Sequence, residues 1–142
     1  QDRLRTVKRL TAKSLEKPLG LVPSGNEGDP RRTGARSHLT DEAPTVFATD
    51  EHDPPNSDVY NMSVQPYPLD PRWYVAFPSI FLRERTVSDG RLEAHFAGSR
   101  DGIRWHRYDR RAYAAPGPAG SANANMVFLG TGLVLRDKEI WQ

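Results

Sequence analysis

Three side chains near the middle of the chain carry atoms that suit metal binding or acid–base chemistry: the imidazole of His52 and the carboxyl groups of Asp53 and Asp58. Calcium takes about six to eight oxygen ligands and structural zinc about four ligands, so this set is too small for either ion. Pro54 and Pro55 lie between these residues and indicate a rigid loop. We therefore predict no metal ion and no cofactor at this place.

A second group of chemically distinctive residues lies in SRDGIRWHRYDRR, residues 99–111. One interpretation is a basic arm that binds nucleic acid, and the other is a tight turn between two strands. In a turn, Asp101 can accept backbone N–H bonds, Gly102 can adopt a positive φ, and Trp105 can fold over the hairpin. We favour the turn. It predicts that the nearby cationic side chains are exposed partners of local carboxylates: Arg104, His106, Arg107, Arg110 and Arg111.

Several kinds of catalytic site are excluded or unsupported. The chain has no cysteine, which removes disulfides, thiolate nucleophiles and cysteine-bound zinc and leaves the compartment open. His38, His95 and His106 have no nucleophile at triad-like positions, and neither a P-loop nor a dinucleotide fingerprint is present. No apolar run is long enough to span a membrane.

The charge of the chain is unevenly distributed. Residues 1–40 hold nine Lys/Arg and four Asp/Glu, whereas residues 41–142 hold eleven and fourteen. A basic beginning suits an anionic partner, yet it contains no run of five like charges and is more simply a solvated segment. We predict neither a nucleic-acid nor a membrane partner.

The pattern along the chain predicts an all-β fold. A weak helical spacing over residues 1 to about 20 closes at Pro18 and Gly20, and residues 23–34 have the composition of a loop. Short β-branched and aromatic runs, separated by turns such as 88–90, 100–102 and 136–138, predict antiparallel strands. These strands are predicted at 46–49, 59–64, 72–81, 92–98, 125–130, 132–136 and 139–141.

Two degenerate copies of a unit of about 65 residues can be aligned, on Ser37 and Asp41 against Ser99 and Asp101, and on the two Asn-Met pairs. A four-stranded unit repeated at such spacing is typical of a β-propeller blade. Known propellers have about four to eight blades, so either the chain is a fragment of a longer protein or it is not a propeller, and we expect the fragment. Residues 1–34 would then be an irregular basic segment at the end of a preceding blade, and residues 35–142 about two blades.

The segment SRDGIRWHRYDRRAY resembles the S-x-DG-x-x-W-x-R segment of five-bladed propeller glycoside hydrolases related to families 32, 43, 62 and 68. The order of EKPLGLVPSGNE, DEHDPPNSDVYNMSVQPYP, WYVAFPSIF and PGPAGSANANMVF is similar to that of bacterial family 32-like sugar hydrolases. The resemblance implies a partial five-bladed propeller, a carbohydrate partner, the remaining blades of a longer chain and, as one option, a secreted or periplasmic location.

The resemblance also implies a sugar site near the propeller axis, with Asp58 as a catalytic base, nucleophile or tuning carboxylate. Substrate-binding positions would be Asp53, Tyr60, Asn61, Asn123 and Asn125. The alternative role of Asp58 is an Asx-turn cap before a strand. Tyr60, Trp73 and Tyr74 could stack on a sugar ring, and for Trp73 and Tyr74 we favour packing in the core.

Glycoside hydrolysis needs two carboxyl groups, and the second is missing where the family has an aspartate, because this chain has Asn123. Glu139 and Glu93 are the remaining acids on predicted strands; we expect Glu139 to face solvent and Glu93 to lie away from the axis. Three hypotheses follow: a glycoside hydrolase-like propeller, a propeller module that binds glycans or proteins without catalysis, and a truncated product that does not fold alone.

Overall fold

The computed structural model describes residues 4–12, 14, 43–84 and 89–142. These residues form eight strands and no helix, so the all-β prediction is confirmed for them. β1 and β2 form one two-stranded sheet, β3 to β6 a four-stranded sheet, and β7 and β8 another two-stranded sheet. The strands are β1 (Val7–Lys8), β2 (Thr45–Phe47), β3 (Asp58–Tyr67), β4 (Asp70–Arg83), β5 (Gly90–Ala94), β6 (Ala97–Ser99), β7 (Val134–Arg136) and β8 (Glu139–Trp141).

The helix predicted near the start of the chain is wrong for residues 4–12. The carbonyl of Arg5 accepts the N–H of Val59 at 3.3 Å, and the N–H of Arg9 donates to the carbonyl of Pro44 at 3.1 Å. Backbone groups that bond to distant segments are not free for helical bonds, so tertiary pairing overrides the weak helical spacing. The loop predicted at 23–34, and Ser37 and Asp41 of the proposed repeat, lie outside the described residues.

The largest sheet is an antiparallel meander centred on β4. β3 pairs with one edge of β4, while β5 and β6 pair with different lengths of the other edge. The strand predicted at 92–98 is therefore divided in two at His95 and Phe96. Pro78 explains the division, because its carbonyl accepts the His95 N–H at 2.8 Å but it has no N–H to return to the ladder.

Both faces of β4 are covered from Val75 to Leu82. On one face, which we call the core face, Ala76 and Ile80 of β4 pack in a cluster with apolar residues of neighbouring strands. Ile80 is completely buried. The other members of this cluster are Phe47, Val59, Leu82 and Ala97, with Val7, Met62 and Trp105 packed against it.

The opposite face of the sheet lies under an irregular segment, residues 113–133. Ser63 donates from Oγ to the Leu129 carbonyl at 2.8 Å, and the side-chain oxygen of Gln65 accepts the Gly132 N–H. The strand predicted at 125–130 is wrong, because only Met126 makes an isolated bridge there. The backbone of this stretch bonds to β5 at a single residue, Leu92, through the carbonyl of Asn125 and the N–H of Val127.

The chain ends in a hairpin, β7 and β8, joined by Asp137 and Lys138, and the turn predicted at 136–138 is confirmed. These two residues have φ values of 50° and 71°. Positive φ at both central positions is the signature of the two-residue turn that matches strand twist. Every residue of both strands is exposed.

The chain divides into two compact units, Gln1–Val7 with Val46–Gln142 as the first and Lys8–Thr45 as the second. The predicted boundaries of the propeller segments stay a prediction. Within the described ranges, no helix is long and apolar enough to cross a lipid bilayer.

Candidate functional site

The turn at 99–102 forms as predicted. Oδ1 of Asp101 accepts the backbone N–H groups of Ile103 at 2.9 Å and Arg104 at 2.8 Å, and Gly102 has a φ of 67°. The hydroxyl of Ser99 accepts the Gly102 N–H at 2.9 Å. Hydrogen bonds to the charged form lower the pKa of Asp101, the largest contribution coming from the Arg104 N–H. The carboxylate therefore fixes the corner of the chain.

Trp105 completes this structure by packing against the core face. The chain turns back after Asp101, and His106 exchanges two backbone hydrogen bonds with Gly98 at 2.9 and 3.0 Å. The indole thus closes the end of the sheet. Trp105 is half-buried and belongs to the scaffold of the sheet.

Asp58, the predicted catalytic residue, opens β3 with a completely buried side chain. Arg5 donates from Nε to Oδ2 at 2.9 Å and from Nη2 to Oδ1 at 2.7 Å, and its backbone N–H reaches Oδ2 at 3.1 Å. Arg83 donates from Nη2 to Oδ2 at 2.6 Å. We call these three residues the Asp58 cluster. In it, both carboxylate oxygens accept hydrogen bonds from arginine.

These contacts decide the charge of Asp58. Burial raises the pKa of this carboxyl, but the hydrogen bonds from Arg5 and the charges of Arg5 and Arg83 outweigh burial and bring the pKa below its usual value. An ionised carboxylate suits a base or a nucleophile and does not suit a proton donor. The preceding turn is closed by Ser57, whose N–H and Oγ both donate to the Pro54 carbonyl, and Asp58 is free for the arginines.

Asp53 belongs to a different group, the Asp53 cluster, which consists of Asp50, Asp53, Arg107 and Arg110. The guanidinium of Arg107 binds both oxygens of Asp53, and that of Arg110 binds both oxygens of Asp50 at 2.8 Å. The side chains of Asp53 and Arg107 are each only 3% exposed. The prediction that Arg107 and Arg110 are exposed partners of local carboxylates is wrong, because their partners lie 54 and 60 residues away and the Arg107 side chain is buried.

No group of three His, Asp or Glu side chains in the described part of the chain is arranged to hold a metal ion. His52 instead lies beside Glu51, with 3.8 Å between Nε2 and Oε1. Asp50, within the Asp53 cluster, has its pKa lowered to about 2, mainly by the hydrogen bond from Arg110. The carboxylates of Asp50 and Asp53, near His52, are therefore bound by arginines.

The other predicted binding residues are dispersed. Tyr60 is half-exposed, with its ring 5.5 Å from that of Phe128 and under the guanidinium of Arg5. Asn61 follows on β3 and is exposed. The backbone carbonyl of Asn123 accepts the Gly117 N–H at 3.1 Å, and that of Asn125 accepts the Leu92 N–H at 2.9 Å. Asp58, Tyr60 and Asn61 thus share a strand, whereas Asp53 is held in its own cluster.

Aromatic side chains line a cavity of about 490 Å³, which we call the aromatic groove. Phe77 of β4 forms its floor, with its ring centre 5.1 Å from that of Tyr113 and 5.8 Å from that of Phe96. Trp73 and Tyr108 extend it, and the terminal hairpin contributes Ile140. Trp73 and Tyr74, two of the candidates for sugar stacking, both line this groove; Tyr108 and Tyr113 line it too and were not predicted from the sequence.

Polar groups lie beside the aromatic groove. An adjoining cavity of about 530 Å³ shares Tyr108 and Tyr113 and reaches Asp109 and Arg111. Arg111 donates from Nε and Nη2 to Oδ2 of Asp109 at 2.9 and 2.7 Å, and these bonds hold the pKa of Asp109 below its usual value. A fixed carboxylate and a guanidinium therefore border the apolar floor.

The remaining candidate acids lie elsewhere. Glu93 of β5 is hydrogen-bonded to Nε2 of buried His95 at 2.9 Å, and Glu139 of β8 is exposed to solvent. In comparisons with known proteins, no family model, no curated protein and no solved structure matches the chain. Its function is therefore argued from the geometry of these surfaces.

Proposed function

We propose that the chain is part of a carbohydrate-binding β-propeller and that the aromatic groove is its glycan site. The single observation that carries this proposal is that Trp73, Tyr108 and Tyr113 line one cavity of about 490 Å³. Flat aromatic rings offer apolar faces that fit the C–H face of a pyranose, as they fit other amphipathic ligands. Tyr108 and Tyr113 are 73% and 60% exposed, so these rings are accessible.

Polar neighbours fit the other half of a sugar. A sugar hydroxyl both donates and accepts hydrogen bonds, and Asp109 and Arg111 present a carboxylate acceptor beside a guanidinium donor. Their side chains are 54% and 89% exposed. Binding sites typically combine an apolar lining with a few placed polar groups, and this pair supplies them next to the groove.

The propeller part of the proposal is supported by the order of the sheet. β3, β4 and the β5–β6 pair follow one another as an antiparallel meander, and the segment at His106 adds a bridge outside β6. A blade has four antiparallel strands in this sequence order. The terminal hairpin would then begin the next blade.

Glycoside hydrolysis by Asp58 is the second candidate. The lowered pKa of Asp58 favours it, because a nucleophile or base must be ionised. The carboxylate must also reach the sugar, and here it is buried behind Arg5 and Arg83. Hydrolysis therefore requires Arg5 to move and a second carboxyl group to approach, whereas binding in the aromatic groove requires neither.

The test is to titrate the protein with soluble oligosaccharides of glucose, xylose and fructose and to measure binding by calorimetry and NMR. We expect Tyr108→Ala to weaken binding of the preferred oligosaccharide at least about tenfold, which is about 1.4 kcal/mol. Tyr60→Ala is the matched control, since Tyr60 is also an exposed tyrosine but lies at the Asp58 cluster. We expect it to bind as the unaltered protein does.

The reverse result, with binding lost in Tyr60→Ala and retained in Tyr108→Ala, would place the sugar at the Asp58 cluster. Release of reducing sugar by the unaltered protein, lost in Asp58→Asn, would establish hydrolysis. Absence of binding to every oligosaccharide would overturn the glycan proposal.

A further inference from the structure

The Asp58 cluster is built like a receptor for a guanidinium ion. The two oxygens of Asp58 meet Nε and Nη2 of Arg5 at 2.9 and 2.7 Å, which is the two-point geometry that a planar guanidinium offers to a carboxylate. An ammonium group cannot make this paired contact, because its charge is compact and not planar. The carboxylate of Asp58 has no exposure to solvent, whereas the Arg5 side chain that binds it is partly exposed.

Aromatic rings complete the receptor. The central carbon of the Arg5 guanidinium lies 4.6 Å from the centre of the Tyr60 ring and 5.0 Å from that of Phe81. Both distances are within the range of about 6 Å in which a cation is attracted to an aromatic face. Phe81 is opposite Asp58 in the register of β3 and β4, so the ring and the carboxylate are held by the same pair of strands.

The backbone of Arg5 is fastened at the same place. Its N–H donates to Oδ2 of Asp58 at 3.1 Å, and its carbonyl accepts the N–H of Val59 at 3.3 Å. Two residues later, Val7 packs against the core face. An extended segment that bonds to a strand edge and places one side chain in a pocket is the general mode of strand addition.

Arg5 is the more exposed of the two arginines that bind Asp58, so it is the partner that can be replaced. Asp58 also binds Arg83, whose side chain is 12% exposed, whereas that of Arg5 is 39% exposed. If Arg5 leaves, Asp58 and Arg83 remain as a neutral pair. A buried carboxylate is then not left without a partner, which is the costly case.

We propose that Asp58, Tyr60 and Phe81 form a guanidinium-binding site that the chain fills with its own Arg5. The ligand class is a planar guanidinium cation, and the site fastens the first described residues to the edge of β3. This inference is independent of glycan binding, because it concerns neither the aromatic groove nor the Asp109–Arg111 pair.

The experiment uses full-length Arg5→Ala and methylguanidinium as the probe. We expect the substitution to lower the midpoint of thermal unfolding, and millimolar methylguanidinium to recover at least half of that loss in a saturable way. Ethylammonium, which has the same charge without the planar fork, should recover less. The unaltered protein should gain nothing from methylguanidinium, because Arg5 occupies its site.

Arg5→Gln provides a second variant that keeps the length and packing of the side-chain stem. Ring signals of Tyr60 and Phe81 in its NMR spectrum should shift as methylguanidinium is added, and the double variant with Asp58→Asn should show no such shift. Equal recovery by both cations, equal stabilisation of the unaltered protein, or ring signals that do not respond would each overturn the proposal.

Discussion

The consecutive residues of β4 from Val75 to Leu82 are all buried, whereas every residue of the hairpin formed by β7 and β8 is exposed. Both regions are rich in apolar side chains. In the hairpin, Val134 is 61% exposed and Trp141 57%, while Ile80 of β4 is 0% exposed. The two regions therefore share an apolar composition but differ in the exposure of their side chains to solvent.

The difference lies in the layers that cover each sheet. β4 has the core face on one side and the segment 113–133 on the other, and the core face is closed by Trp105 and by the Asp53 cluster, where Arg107 lies over the ring of Phe47. The hairpin has no such layer within the described residues. Apolar side chains stabilise a fold only by the area they remove from water, so the two regions should respond very differently to substitution.

The largest effect is expected for Arg107→Ala, which removes the buried guanidinium that binds both oxygens of Asp53 and leaves that carboxylate with only the more distant Arg110, at 3.4 Å. Breaking a buried ion pair in this way costs about 3–5 kcal/mol of the free energy of unfolding. Urea denaturation measures it. Arg111→Ala is the control, since its ion pair is exposed, and its stability should not change measurably. Equal values for the two variants would show that the Asp53 cluster does not cover the sheet.

Ile80→Ala should follow closely. It empties a completely buried position on the core face and should lower the free energy of unfolding by about 2–5 kcal/mol, because the surrounding side chains collapse only partly into the space. Val134→Ala on the exposed hairpin is the matched apolar control. A loss below about 1 kcal/mol for Ile80→Ala would indicate a loosely packed core face.

A decrease in pH should weaken the ion pairs of the Asp53 cluster. The pKa of Asp50 is lowered to about 2 by the hydrogen bond from Arg110, so it contributes stability above its unfolded pKa of about 3.9 and loses it as the pH falls through the folded value. We expect the urea midpoint to decrease between about pH 4 and pH 2. Arg110→Gln should flatten this decrease, and Arg91→Gln, an exposed arginine of β5, should leave it unchanged.

The smallest effect is expected for Trp141→Ser on the hairpin. A side chain that is 57% exposed loses little on replacement, and surface substitutions usually change stability by less than about 0.5 kcal/mol. Chemical denaturation at several protein concentrations measures it. A loss near 2 kcal/mol would remove the contrast with β4, because it would mean that the hairpin is covered in solution.

Much of the sheet was predictable because its signals are local. Runs of β-branched and aromatic residues predicted β3 and β4, and the turn with Asp101 and Gly102 was predicted from the conformational freedom of glycine and the acceptor capacity of aspartate. The division of the strand predicted at 92–98 into β5 and β6 was not predicted, although its cause, Pro78, is visible in the sequence. The consequence of Pro78 appears only when the partner strand is known.

The candidate site was predicted less well, since its contacts join residues distant in the chain. Asp58 was selected from the sequence as a catalytic carboxylate, which stays a prediction, and its partner Arg5, 53 residues earlier, was not identified. The contact of Arg107 with Asp53 spans a similar distance. Nothing in the residues around Arg5 or Arg107 distinguishes them from the exposed arginines, so sequence reasoning placed them in solvent.

The interruption at His95 and Phe96 has a consequence for how molecules of this chain meet. Long, flat edge strands are templates for intermolecular pairing and fibril growth, and short or broken edges prevent it. On the side of β4 away from β3, the sheet continues as two short pieces, β5 with five residues and β6 with three, and isolated bridges at His106, Ala114 and Met126 pair with them. Through one proline on the neighbouring strand, this side of the sheet thus lacks the long continuous edge along which another molecule could pair.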